Sequence, residues 1–217
     1  RKIPDDLPDE ATVFMEPAAC VLRGIRKAGI DGNGTIVILG AGSMGLLHLL
    51  VLKALWANLK VVISDPIKER STHALRLGAD QVVSPDEAVD AIKISTLGLG
   101  AEAVFDTVGG AKPLQDGIAL TREGGAVVLF GHSSNFERAD FEINQLFKYE
   151  RRVIGTYSGS ISEQAEAFRL LIEKTLDPAP LVTHRLPLNE FERGLEFAKI
   201  RQALKVLFTP IHDPQLA

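Results

Sequence analysis

The chain predicts an α/β fold: a doubly wound, six-stranded parallel sheet of the Rossmann type, carrying short flanking pieces of a second unit. Runs rich in Val and Ile alternate with amphipathic runs at helical spacing, the rhythm of right-handed βαβ crossovers. The stretch Thr35-Ile-Val-Ile-Leu-Gly-Ala-Gly-Ser-Met-Gly45 takes a strand into a Gly40-x-Gly42-x-x-Gly45 turn and then into a helix. A second strand, Lys60-Val-Val-Ile-Ser-Asp65, ends in an acid 20 positions past Gly45.

That setting distinguishes a dinucleotide-binding turn from a stray glycine pattern. Gly40 permits the sharp bend, Gly42 lets the backbone approach a pyrophosphate, and Gly45 lets the helix lie close to the sheet. The first helical turn, at Ser43 and Met44, offers unpaired N–H groups and the positive end of a helix dipole to the diphosphate. Asp65 is placed to accept from ribose hydroxyls and to repel a 2′-phosphate, which favours NAD over NADP.

The elements follow in order. A proline-punctuated approach, Ile3 to Glu10, leads to a helix over Val13 to Ala28 with apolar residues at Phe14, Ala18, Val21, Leu22 and Ile25, stopped by Gly29. Strand Ile36 to Leu39 and a helix from Met44 to Trp56 surround the glycine turn. After Asp65, a helix opened by Pro66 runs to Leu77, and Gln81 to Ser84 is a third strand. A helix from Pro85 toward Leu97, a fourth strand Glu102 to Val108, a helix Pro113 to Leu120 and a fifth strand Gly125 to Gly131 complete the alternation. A polar loop and a short helix, Asn144 to Tyr149, precede the sixth strand, Arg151 to Tyr157. Ser162 can cap the helix that follows, to about Lys174. Strand ends at Gly40, Asp65, Thr107 to Gly109 and Phe130 to His132 then share one edge of the sheet, where ligands bind such folds. Leu181 to Leu188, a helix from Glu190 to Ile200 and Leu204 to Pro210 form a β-α-β tail that leaves an apolar edge around Leu181 to Leu188. The division is thus 1–28, 29–178 and 179–217.

Composition narrows the classes. The 217 residues are 46% hydrophobic and 24% charged, enough for a full core, and a net charge of −4 gives no basic concentration for nucleic acid. Cys20 is the single cysteine, so no internal disulfide or cysteine-rich zinc site forms, and a reducing, cytoplasmic setting fits. The apolar helix after Gly45 is broken by His48 and Lys53 and is too short to span a bilayer, and Arg1-Lys-Ile-Pro-Asp-Asp has no apolar core of a signal peptide.

Other polar residues are weighed singly. Glu16-Pro17 reads either as ordinary helix-entry chemistry or as a functional carboxylate. His48 reads as a packed histidine, His184 as structural and Cys20 as an ordinary buried thiol. His73 and His212 have no motif context. Ser133-Ser134 lacks the Gly-x-Ser-x-Gly elbow of a serine hydrolase.

Five stretches in order resemble the medium-chain zinc-dependent alcohol and polyol dehydrogenases: Glu16-Pro-Ala-Ala-Cys20, Gly40 to Gly45, Ser64-Asp-Pro with Arg70 and Leu77-Gly-Ala-Asp80, Asp106-Thr-Val-Gly109, and Leu181 to Leu188 followed by Leu204-Lys-Val-Leu-Phe208. The resemblance implies a cofactor domain with two returning pieces of a catalytic domain that is itself not represented. It implies that Asp65 and Arg70 meet the adenosine ribose, Thr107 and Val108 the adenine side, Phe130, Gly131 and His132 the nicotinamide end, and Lys205 the pyrophosphate. Glu16 falls where the family supplies a further ligand to catalytic zinc, directly or through water, as in polyol dehydrogenases.

The resemblance thus implies an oxidoreductase that moves hydride between the secondary hydroxyl of a small alcohol or polyol and NAD, with zinc as Lewis acid, working as a homo-oligomer. A catalytically silent NAD-binding module and a zinc-independent, quinone-reductase-like member are the alternatives. A Rossmann-like methyltransferase fits the strand order, the Gly45 spacing and the Lys205 tail less well.

Overall fold

The computed structural model describes residues 2–210, so His212 lies outside the described residues. Helices α1 (Asp9–Thr12) and α2 (Met15–Ala28) lead into β1 (Thr35–Leu39), α3 (Ser43–Leu55), β2 (Lys60–Ser64), α4 (Lys68–Arg76) and β3 (Gln81–Val83). The second half runs α5 (Ala88–Ser95), β4 (Ala101–Asp106), α6 (Ala111–Leu120), β5 (Thr121–Leu129), α7 (Asn144–Phe147), β6 (Arg152–Gly155) and α8 (Ile161–Ile172). β7 (His184–Pro187), α9 (Phe191–Lys199) and β8 (Val206–Thr209) close the described part.

The six-stranded sheet has the order β3-β2-β1-β4-β5-β6, every pair parallel. Its strands are apolar on both faces because both are covered. Ile36 and Ile38 pack into the core shared with α2, α3 and α8, while Val37 and Leu39 face the core shared with α5 and α6. The chain reverses direction across the sheet between β1 and β4, where Leu39 pairs with Asp106. That reversal opens the crevice in which doubly wound folds hold ligands.

α2 joins this body rather than standing apart. Ala18, Val21, Leu22 and Ile25 are buried in the larger core, and Arg26 reaches Glu163 of α8 at 2.6 Å. Gly29 ends the helix in the left-handed conformation at φ 67°, which costs glycine nothing.

The expected boundaries shift where proline was given too much weight. Pro66 and Pro85 stand in turns ahead of helices that begin at Lys68 and Ala88. Pro113, taken as a helix start, is instead the third residue of α6, where its missing N–H removes no helical bond. The tail differs more. Leu181 closes a short 3-10 turn and is fully buried, Leu186 is 9% exposed, and β7 pairs in parallel with β8 as a separate two-stranded sheet. The expected apolar edge therefore moves off the strand and onto the turn and helix after it, where Leu188, Phe191, Leu195 and Ile200 are exposed.

Candidate functional site

The glycine turn is built by close approach. Gly40 stands at φ 96°, and a Cβ on Gly45 would lie 1.8 Å from the Gly40 carbonyl oxygen, so the first turn of α3 rests on the backbone that enters it. Gly42 differs. A Cβ there would meet only the Arg70 guanidinium at 4.0 Å, so its missing side chain leaves open space in front of the helix. No side chain caps α3 and its first turn carries no acid, which leaves its leading N–H groups for an anion.

Asp65 ties the tip of β2 to this turn. It is 5% exposed, its Oδ2 accepts the Ala41 N–H at 2.7 Å and its Oδ1 accepts the Ile67 N–H at 2.7 Å. Arg70 stands 3.9 Å away. The carboxylate is thus held by backbone donors at the rim of a cavity of about 240 Å³, bounded by Gly40, Pro66, Pro85, Val108 and Pro113. Leu39, Pro66, Pro85, Ala88, Val108 and Leu120 give this cavity a largely apolar lining, and Asp65 adds a carboxylate to it.

At the switch point, the Thr107 N–H and hydroxyl both donate to the Leu39 carbonyl, at 3.1 and 2.7 Å. Asp106 Oδ1 accepts from the N–H groups of Val108 and Gly109, each at 2.9 Å. Burial raises its pKa above the ordinary carboxylate value, against those two donors. These bonds set the turn that presents Val108, 55% exposed, to solvent. Asp106 is a functional-edge residue whose signal in the sequence is its place directly before Thr107.

A larger cleft of about 420 Å³ opens at the ends of β5 and β6, lined by Glu16, Cys20, Met44, Thr107, Phe130 and His132 among others. Tyr157 joins it, standing edge-on to His132 with ring centroids 6.1 Å apart. Tyr157 and Ser158 follow β6 and were not singled out from sequence. Cys20 was expected as a buried thiol, yet it is half-buried and faces this cleft, where its Sγ–H donates to Glu16 Oε1 at 3.1 Å. Burial, and then the Glu16 carboxylate, push the thiol up to about 11. Ser133 accepts the Gly110 N–H at 2.8 Å, a structural task. His184 stacks on Phe197 at 4.4 Å.

The structure therefore gathers Gly40, Gly42, Ser43, Met44, Gly45, Asp65, Arg70, Thr107, Val108, Phe130, Gly131 and His132 along one sheet edge. Lys205 is not brought to either cavity. Its ammonium lies 5.6 Å from the Phe14 ring centre, and its carbonyl accepts the Thr183 N–H at 3.0 Å. Glu16 reaches the larger cleft, but among the described residues no three His, Cys, Asp or Glu side chains converge to hold a metal ion. The described residues suit a dinucleotide and do not by themselves make a zinc site.

A doubly wound parallel sheet with a glycine turn at its switch point defines a Rossmann-type nucleotide-binding domain. The zinc-binding dehydrogenase family matches residues 43–173, and the chain belongs to that family. The sorbitol dehydrogenase of Ovis aries is 30% identical over 219 residues, 95% of this chain and 58% of that protein, and the Bombyx mori sorbitol dehydrogenase is 28% identical. The chain thus spans less than two thirds of the length of the curated relatives it matches. Among solved structures, an alcohol dehydrogenase from Thermus sp. ATN1 superposes with a TM-score of 0.90 at 27% identity, over 97% of this chain and 61% of that one. A putative zinc-binding dehydrogenase from Sinorhizobium meliloti bound to NADP gives 0.87 at 26%, over 97% and 62%. The 2R,3R-butanediol dehydrogenase from Bacillus subtilis gives 0.86 at 27%, over 97% and 60%.

Proposed function

We propose that this chain is the NAD-binding part of an oxidoreductase that moves hydride between the secondary hydroxyl of a small alcohol or polyol and NAD. The observation that carries the cofactor reading is the buried Asp65 carboxylate, fixed beside the glycine turn with an open Gly42 in front of it. The N–H groups of Ser43 and Met44 hold the diphosphate, Asp65 the ribose hydroxyls, Thr107 and Val108 the adenine side, and Phe130 to His132 the nicotinamide end. Arg70 flanks the ribose. Bound NAD supplies the hydride acceptor, and the chain orients it and excludes water from its reactive face.

In the assembled enzyme Glu16 would be one ligand of a zinc ion that would supply Lewis-acid chemistry at the substrate oxygen, and its further ligands would have to come from beyond the described residues. We assign residues 29–178 to the cofactor domain and 1–28 and 179–217 to the pieces that join a catalytic unit. Homo-oligomers form through the open edge of β6. No described helix is long and apolar enough to cross a membrane, and one free cysteine suits a reducing cytoplasm.

A second reading, a catalytically silent NAD-binding module, is favoured by the lack of a three-ligand metal cluster among the described residues. Isothermal titration with NADH and NADPH tests the cofactor assignment. NADH is expected to bind at least about tenfold more tightly, a difference near 1.4 kcal/mol. Equal affinities would remove Asp65 as the selector and leave Arg70 free to accept a 2′-phosphate.

A further inference from the structure

Behind the wall of the larger cleft lies a polar group that the cofactor reading does not use. His48, early in α3, is fully buried. Its Nδ1–H donates to the Met44 carbonyl at 2.8 Å. Because a carbonyl only accepts, the proton sits on Nδ1 and the Nε2 lone pair faces inward, where it has no hydrogen-bond partner. Burial holds the ring neutral, with its pKa down at about 4.

The ring stands edge-on to Phe130, centroids 4.6 Å apart at 89°, and tilts against Phe105 at 5.2 Å. A buried nitrogen without a partner forfeits the hydrogen bond it makes to water in the unfolded chain, whereas an apolar side chain of similar size would leave nothing unpaired. Such a cost inside a packed core calls for a reason. The two residues that His48 holds supply one: Met44 comes from the glycine-turn helix, Phe130 comes from the end of β5, and both line the larger cleft.

We propose that His48 is a positioning residue for the nicotinamide end of the site, its Nδ1–H bond to the Met44 carbonyl fixing the ring and the ring setting the orientation of Phe130. The inference rests on the NAD reading above. It makes the two walls of the cleft move as one, so a ring seated against Phe130 keeps its register with the diphosphate anchored at Ser43 and Met44. Hydride transfer depends on such placement at the level of an ångström or less.

The test compares NADH with ADP-ribose, which carries every group except the nicotinamide ring. Both are titrated into the parent chain, into His48→Leu and into His48→Asn. His48→Leu is expected to bind NADH about tenfold more weakly, to keep its ADP-ribose affinity, and to melt no lower than the starting chain because the orphaned nitrogen is gone. His48→Asn retains a donor within reach of Met44 but no ring, and is expected to show the same selective loss; it decides the matter if the leucine variant does not fold. Unchanged NADH affinity in the variants, or a parallel loss of both ligands tracking a lower melting point, overturns the role given to His48 and leaves the cofactor reading standing. A starting chain that binds neither ligand overturns the cofactor reading itself, and this inference with it.

Discussion

Two glycines a few positions apart make opposite predictions. Gly42 has φ −75° and ψ −177°, which any residue adopts, and a Cβ there meets nothing closer than 4.0 Å. Gly42→Val is therefore expected to fold and melt like the parent while NADH affinity drops at least about a hundredfold. A valine variant that binds NADH normally would move the diphosphate elsewhere. Gly45→Ala drives a methyl into the Gly40 carbonyl, so it should lose about 3 kcal/mol or more of stability before any ligand is added. Denaturant unfolding reads the difference. His48 carries a pH signature of its own. Above its unfolded value of 6.5 the residue is neutral in both states. Between 6.5 and about 4 the unfolded chain takes a proton that the buried ring refuses, so stability falls with pH by about 3 kcal/mol in all and then levels off. His48→Leu should flatten that limb of the curve. If parent and variant lose stability in parallel over this window, the ring is not buried as described.

The contact between α2 and α8 is the clearest case at the scale of elements. Glu163 is held by the Ser160 hydroxyl and N–H of its own capping box, and by Arg26 across the interface. These partners lower its pKa from 4.5 to about 2, the Ser160 hydroxyl contributing most. A lowered carboxylate pKa stabilises the fold fully above the unfolded value and loses that contribution as pH falls through the folded one. Glu163→Gln should accordingly melt below the parent at neutral pH and converge with it near pH 2, as followed by thermal unfolding. A constant gap across that range would assign the loss to packing rather than charge. Most elements were legible in the sequence because the central strands are short and apolar on both faces, as Thr35 to Leu39 between Gly34 and Gly40 is. Two kinds of information were not. Pairing within the tail depends on β8 lying beside β7, a contact between residues 184 and 206 that local pattern does not encode. The lining of the larger cleft by Cys20, Tyr157 and Ser158 arises because α2 folds back beside β5 and β6, so side chains remote in sequence meet only in three dimensions.

For the whole molecule, these 217 residues should bind NADH without oxidising an alcohol. A catalytic zinc needs three protein ligands and one open position, and Glu16 supplies at most one among the described residues. A coupled assay with zinc and a panel of polyols and secondary alcohols, run beside NADH fluorescence titration, checks both halves. Zinc-dependent turnover would show that the ligands are present after all. The strand order also has a consequence for how the molecule forms. β1 waits for β4, with Ile36 pairing to Ala103, and the larger cleft is incomplete until Tyr157 is in place. No early hairpin can nucleate this sheet, since every neighbour in it is parallel and separated by a crossover. During refolding from denaturant, helical signal should return first and NADH fluorescence last, making the cofactor a reporter of the final closure of the chain upon itself.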